Sequence, residues 1–247
     1  MGWARKVRRM RRIYRVHGGS AAPSRLAVAD VSRELRVGGL ALLPTETVYG
    51  VGVSVAAFSG GVSVPAEGTG YRRIFSLKRR DLAQTVPWLV GGPEALDEFG
   101  RDVAEPLRVL AREFWPGTLT IVVPAAPSVP AFMQAGDGTV ALRMSSSPVI
   151  LALVRTLGSP LAVTSANTHG MPAPVSFTEV EPRILDGVDV SVDAGATACR
   201  EASTIVAMTG DAVRVIRVGA LPPREISRAL AEAGMSSASP KQMEGTA

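Results

Sequence analysis

Cysteine, histidine and lysine are nearly missing from this chain. Cys199 is its one cysteine in 247 residues, so neither an internal disulfide framework nor a cysteine-rich zinc site can be built, and a reducing, cytoplasmic compartment is expected. His17 and His169 are the two histidines, and neither has a sequence context that suggests a catalytic dyad. There is no run of about 18 apolar residues, so no membrane partner is expected, and no GxxxxGK[ST] loop, which excludes the usual phosphate cradle of P-loop enzymes. Only three lysines occur, Lys6, Lys78 and Lys241, which leaves Lys78 as the sole ammonium away from the termini.

The net charge of +5 is unevenly placed. Arg5, Lys6, Arg8, Arg9, Arg11, Arg12 and Arg15 crowd residues 1–16 with no acidic residue among them; the remainder holds 20 basic and 22 acidic residues. Basicity therefore belongs to the amino-terminal stretch. It could meet RNA or an acidic surface, or act as an arginine-rich transit segment, but a like-charge run repels itself, so a disordered tail over residues 1–24 is expected. One domain over residues 25–233 and a polar, disordered tail over 234–247 complete the expected organisation.

The most informative stretch is GLALLPTETVYGVGV, residues 39–53. A short apolar run, 40–43, reads as a strand buried on both faces. Pro44 ends it, and Thr45, Glu46, Thr47 and Tyr49 follow in a hydroxyl-rich loop before Gly50 and Gly52, read as a tight turn with close backbone approach. A second strand, 161–163, runs into Thr164, Ser165, Ala166 and Asn167, so two polar loops could face one cleft.

Between and beyond these loops the pattern alternates strands and helices. Helices are expected over 26–37, 71–78, 102–114, 149–157 and 223–233, and strands over 88–90, 118–123, 139–144 and 188–192. Residues 203–208 and 212–218 flank Thr209, Gly210 and Asp211 as a hairpin. Ser176 and Thr178 with Glu179 and Glu181 form overlapping capping boxes for a helix to residue 185. The small-residue stretch 56–70 reads as a mobile loop beside the site. Lys78, Arg79 and Arg80 could serve a polyphosphate, with lysine as a point charge and arginine as a fork; a solvated helix end is the plainer alternative. Arg143 closes an otherwise apolar strand and needs an anionic partner, either a ligand or a salt bridge.

The ordered combination PTETVYG at 44–50, Lys78 with Arg80, WPGTLT at 115–120, ALRM at 141–144, TSAN at 164–167, ASTIV at 202–206 and IRVGAL at 216–221 resembles the YrdC family of threonylcarbamoyl-AMP synthases. The likeness spans about residues 26–230. It implies an α/β fold, a twisted mixed sheet with flanking helices and an open, positively charged cavity. It also implies a nucleotidyltransferase that joins L-threonine, bicarbonate or CO2 and ATP into threonylcarbamoyl-AMP and pyrophosphate, with Mg2+ accompanying ATP. The product would pass to a partner transferase complex that forms t6A at position 37 of tRNA, and contact with tRNA itself is an option.

By the same resemblance, Thr45, Tyr49 and Ser203 would bind threonine. Lys78, Arg80, Thr120, Arg143, Ser165, Asn167 and Arg217 would bind ATP, with Lys78 and Arg80 catalytic, and no residue would ligate a metal. The chain departs from the family where Gln84, Thr85 and Val86 follow the Lys78–Arg80 pair and where Leu89 replaces a histidine found in some members. The large carboxy-terminal domain of the longer subfamily is also missing, which points to the short, single-domain type. Two other functions fit the sequence: a double-stranded RNA or tRNA-binding module, and a carbamoyl-adenylate enzyme acting on another acceptor.

Overall fold

A computed structural model describes residues 12–16, 21–60 and 63–235. Along the chain the elements are β1 (Arg12–Arg15), α1 (Arg25–Arg36), β2 (Ala41–Pro44), β3 (Tyr49–Ser54), α2 (Gly70–Lys78), β4 (Trp88–Leu89), α3 (Ala95–Phe99), α4 (Glu105–Phe114) and β5 (Leu119–Pro124). They continue with β6 (Thr139–Arg143), α5 (Pro148–Leu157), β7 (Leu161–Ser165), α6 (Pro182–Gly187), β8 (Val190–Asp193), β9 (Thr204–Thr209), β10 (Ala212–Arg217) and α7 (Pro223–Glu232). Among the described residues, ten strands form one mixed sheet in the order β1-β8-β2-β3-β7-β4-β6-β5-β9-β10. No described helix is long and apolar enough to cross a membrane.

Alternation along the strands divides the core between two faces. Leu42, Val51, Ile121 and Leu142 point to one side, where Ile74 of α2, Leu107 and Leu110 of α4 and Leu230 of α7 cover them. Ala41, Leu43, Leu161 and Val163 point to the other and meet Val31 and Leu35 of α1 with Ile150 and Leu153 of α5. Among the described residues two helices serve this second face, and they sit over the β8 to β4 half. The remaining half, including Thr120 and Arg143, is free to line a cavity.

Helix boundaries follow local chemistry. Ser24 accepts a hydrogen bond from the Ala27 amide at the start of α1 (3.2 Å), and Gly158, at φ +63°, ends α5 in a left-handed conformation that glycine adopts without strain. The expected capping boxes resolve differently. Glu179 reaches back to Ser176 and the Val175 amide around a short 3-10 turn, whereas Glu181 turns away to hold the amide and hydroxyl of Thr168, both at 2.8 Å.

Two expectations are corrected. The basic stretch 1–24 is not disordered over Arg12–Arg15, which pairs parallel with β8 at the sheet edge. Its outward charges find partners on α1: Arg12 pairs with Glu34, and the Tyr14 hydroxyl donates to Asp30 at 2.5 Å. Residues 1–11, 17–20 and 236–247, where the rest of the tail expectations fall, lie outside the described residues. Gly50 and Gly52 are not in a turn but inside β3, because Val163 of β7 lies against the strand. A Cβ would come within 2.5 Å of Val163 at Gly50 and 2.6 Å at Gly52.

Candidate functional site

The tip of the β2–β3 hairpin is closed by its own threonine. Thr45 Oγ1 accepts from the amides of Thr47 and Val48, both at 3.1 Å, and donates to the Val48 carbonyl at 2.7 Å, which fixes a tight hydroxyl-bonded turn. Register then decides its neighbour. Gly50 pairs with Ser165, so the carboxyl end of β7 lies beside the hairpin tip, and the Ala166 amide donates to the Tyr49 carbonyl at 2.8 Å.

Lys78 ends α2 beneath this junction, with 2% of its surface exposed. Its ammonium donates to the carbonyls of Ser165 (2.6 Å) and Asn167 (2.9 Å), and to the Asn167 side-chain oxygen at 3.3 Å. Burial pushes its pKa down to about 8, with the Arg80 charge adding to the fall and Glu181 opposing it. The lysine thus clamps the Ser165–Asn167 loop. It does not line the cavity that this loop borders.

Arg80 is held by the segment in which the chain departs from its resemblance. Its Nε donates to the Gln84 side chain (2.6 Å), one Nη to the Thr85 carbonyl (2.7 Å) and the other to the Thr164 hydroxyl (3.3 Å). Leu89, in the position of the missing histidine, lines the cavity.

Arg143 has the partner that its burial demanded. It pairs with Glu46, donates to Thr47 Oγ1 at 3.0 Å and to the Gly117 carbonyl at 2.9 Å; Ser145 donates to the other Glu46 oxygen. Ser147, at the start of α5, donates to the Pro44 carbonyl at 2.9 Å, so the segment after β6 ties down the hairpin from below. Of the two partners left open by the sequence, the salt bridge is therefore present in this structure.

On the far wall, Thr120 and Ser203 share a hydrogen bond of 2.8 Å, and Arg217 donates to the Ser203 carbonyl at 2.7 Å. Burial lowers the Arg217 pKa, and the nearby charge of Arg143 lowers it further. Two guanidinium groups thus face one cavity. Its volume is about 260 Å3, and its polar lining comprises Thr45, Thr47, Thr120, Thr164, Ser165, Asn167, Ser203, Arg143 and Arg217, with no carboxylate. Such a lining favours an anionic, oxygen-rich ligand.

Of the residues singled out in the sequence, Thr45, Thr120, Arg143, Ser165, Asn167, Ser203 and Arg217 converge on this cavity. Lys78 and Arg80 sit one layer back, through Ser165, Asn167 and Thr164. Tyr49 does not reach it. Its ring is fully buried, and its hydroxyl donates to the Gly195 carbonyl and accepts from the Ala194 amide, both at 2.9 Å, so its assignment to threonine is corrected. The alternation of β3 carries Tyr49 into the core on the face opposite Gly50. The described part of stretch 56–70 is also not beside the cavity, since Phe58 packs on Tyr71 and Gly38. Sequence reasoning noted Glu46 and Thr47 without giving them a role, although an acid and a hydroxyl flanking the turn were a signal for the Arg143 partner. Met171 and Ala173 also line the cavity and carried no signal, and Ala202, which does so too, was noted only as the start of the ASTIV block.

Among the described residues, no group of three or more His, Cys, Asp or Glu side chains is placed to hold a metal, and Glu46 is engaged by Arg143 and Ser145.

A model of the Sua5/YciO/YrdC family, described as telomere recombination, matches residues 33–219. A Mycobacterium tuberculosis protein provisionally named a threonylcarbamoyl-AMP synthase is 36% identical over 196 residues, covering 79% of this chain and 85% of its own. The threonylcarbamoyl-AMP synthase of Pyrococcus abyssi is 31% identical over 198 residues, covering 80% of this chain and 55% of its own. The crystal structure of P. abyssi Sua5 complexed with L-threonine superposes with a TM-score of 0.78 at 29% identity, over 89% of this chain and 61% of that one. The chain thus spans little more than half of the archaeal protein. Escherichia coli YciO, at 20% identity and a TM-score of 0.71, shares the fold.

Proposed function

The chain belongs to the Sua5/YciO/YrdC family, and from that premise we propose that it synthesises threonylcarbamoyl-AMP. The substrates are L-threonine, bicarbonate or CO2, and ATP. The reaction is a nucleotidyl transfer: the threonine amine adds to CO2, losing a proton, and a carbamate oxygen attacks the α-phosphorus as pyrophosphate leaves. A tRNA-modifying transferase then receives the product for t6A37.

One observation carries the reading: seven residues from six separate segments line a single cavity that bears two guanidinium groups and no carboxylate. Attack on a phosphorus by a ready-made carbamate requires no protein nucleophile. The barrier is lowered by holding the two reactants together and by offsetting charge on phosphate oxygens. Arg143 and Arg217 supply that charge, and the hydroxyls of Thr120, Ser165 and Ser203 supply orientation. Thr45, at the hairpin tip on the cavity wall, would meet the amino acid in this reading, and Thr47 lines the cavity beside it. Lys78 and Arg80 act as positioning residues that hold the Thr164–Asn167 loop. Mg2+ would enter with the ATP phosphates as part of the substrate.

Mass spectrometry of a reaction containing ATP, bicarbonate and threonine, with serine as control, tests the proposal. A threonine-dependent adenylate of the expected mass, with stoichiometric pyrophosphate, is the expected result; ATP turnover without that adduct refutes it.

A further inference from the structure

The helix α2 carries more cationic charge than the cavity uses. Its outer side forms a second hollow of about 500 Å3 lined by Arg72, Arg73, Arg79 and Arg80, with Ser76 between them and Glu67 at the rim. Arg72 and Ser76, four residues apart, rise on one face of α2, and Arg79, the residue that caps the helix, lines the same hollow. Arg73 is committed to Asp189 and the Gly187 carbonyl. Among the described residues Arg72 pairs with Glu67, at 3.4 Å, and that carboxylate is 89% exposed, so the pair is weak. Arg79 sits at φ +52°, in the left-handed region that side chains seldom adopt, and ends α2 with its guanidinium exposed. A solvated arginine ending a helix needs no such hollow around it.

Arg80 joins the two sites. It lines the outer hollow, while one Nη bonds the hydroxyl of Thr164, which lines the inner cavity. We propose that the hollow formed by Arg72, Arg79 and Arg80 is a second anion site that takes inorganic pyrophosphate, as a station beside the reaction cavity from which the leaving group departs. Arg72 and Arg79, with Arg80 held beside them by Gln84, Thr85 and Thr164, share a hollow whose one carboxylate is exposed, and that arrangement suits a small, highly charged phosphate anion. The assignment of pyrophosphate rests on the synthase reading; the presence of an anion site does not.

Calorimetric titration of the full-length protein with pyrophosphate tests this. Two sites per chain are expected for the wild type, and one for the Arg72→Ala/Arg79→Ala variant. That variant should retain its affinity for threonine and its rate of adenylate formation at low pyrophosphate, and should lose about tenfold in sensitivity to inhibition by added pyrophosphate. One site in the wild type, or two in the variant, overturns the proposal. So does an outcome in which an RNA hairpin, and not pyrophosphate, binds in an Arg72- and Arg79-dependent manner. If two pyrophosphate sites are found and no threonylcarbamoyl-AMP is formed, the anion site stands and the synthase reading falls.

Discussion

The Lys78 ammonium and the Ser165 carbonyl are 2.6 Å apart although 87 residues separate them in the chain. A single buried cation thereby fixes the loop that borders the cavity. Its contact with carbonyl oxygens, rather than with the cavity itself, makes it a support for the binding surface.

This support is sensitive to alkali. Burial and Arg80 bring the Lys78 pKa down to about 8, so the clamp weakens as pH rises through that value. Adenylate formation should fall on the alkaline side with a midpoint near 8, and Arg80→Gln should move that limb upward by removing a like charge. The sign for stability is opposite. Between about 8 and the ordinary lysine value of 10.5 the unfolded chain still holds a proton that the folded chain has released, so this group's contribution to stability rises with pH across that window. Parallel pH profiles of rate and of urea midpoint separate the two effects. Lys78→Ala should reduce product formation at least about tenfold.

Removing one partner of the Arg143–Glu46 pair should be worse for folding than removing both. Arg143→Ala strands a carboxylate that is 9% exposed, an expected loss of about 3–5 kcal/mol. Arg143→Ala/Glu46→Ala should recover much of that stability and none of the activity, because the cavity still lacks a guanidinium. Thermal midpoints and product assays on Arg143→Ala, Glu46→Ala and the double variant complete the cycle.

The two strand glycines should differ in whether they can be rescued. Gly50→Ala meets chiefly Val163 Cγ1, with an expected cost of about 1–3 kcal/mol, and Val163→Ala should relieve a large part of it. Gly52→Ala also meets the Ala162 carbonyl at 2.7 Å. Backbone cannot be trimmed, so Val163→Ala should leave that variant destabilised.

Neighbouring hydroxyls of the hairpin should separate cleanly. Thr45→Val removes the acceptor that holds the Thr47 and Val48 amides and should weaken threonine binding while ATP binding stays intact, read by calorimetry with each ligand. Tyr49→Phe breaks the link to Ala194 and Gly195; it should lower stability by about 1–2 kcal/mol and leave threonine affinity unchanged.

Much of the fold was legible because periodicity reports burial one element at a time. The stripe Leu107, Leu110 and Ala111 of α4 and the paired runs of β9 and β10 were read from spacing alone, and the structure places them as helix and hairpin. Lys78 could be singled out because no other lysine lies away from the termini. The edge strand Arg12–Arg15 was hidden by its own charges, which read as repulsive until Asp30 and Glu34 of α1 are beside them.

The order of residues by itself determined most of the strands and helices, β1 and β3 excepted, and which loops carry hydroxyls and cations, since these depend on neighbours within a few positions. Only the tertiary structure decided which way each side chain faces and whom it meets. The pleat of β3 sends Tyr49 into the core and leaves Gly50 under Val163, and the carboxyl end of β6, reaching the hairpin tip, gives Arg143 to Glu46. A shift of one residue in strand register would exchange those faces, and that register is set by contacts more than a hundred positions apart.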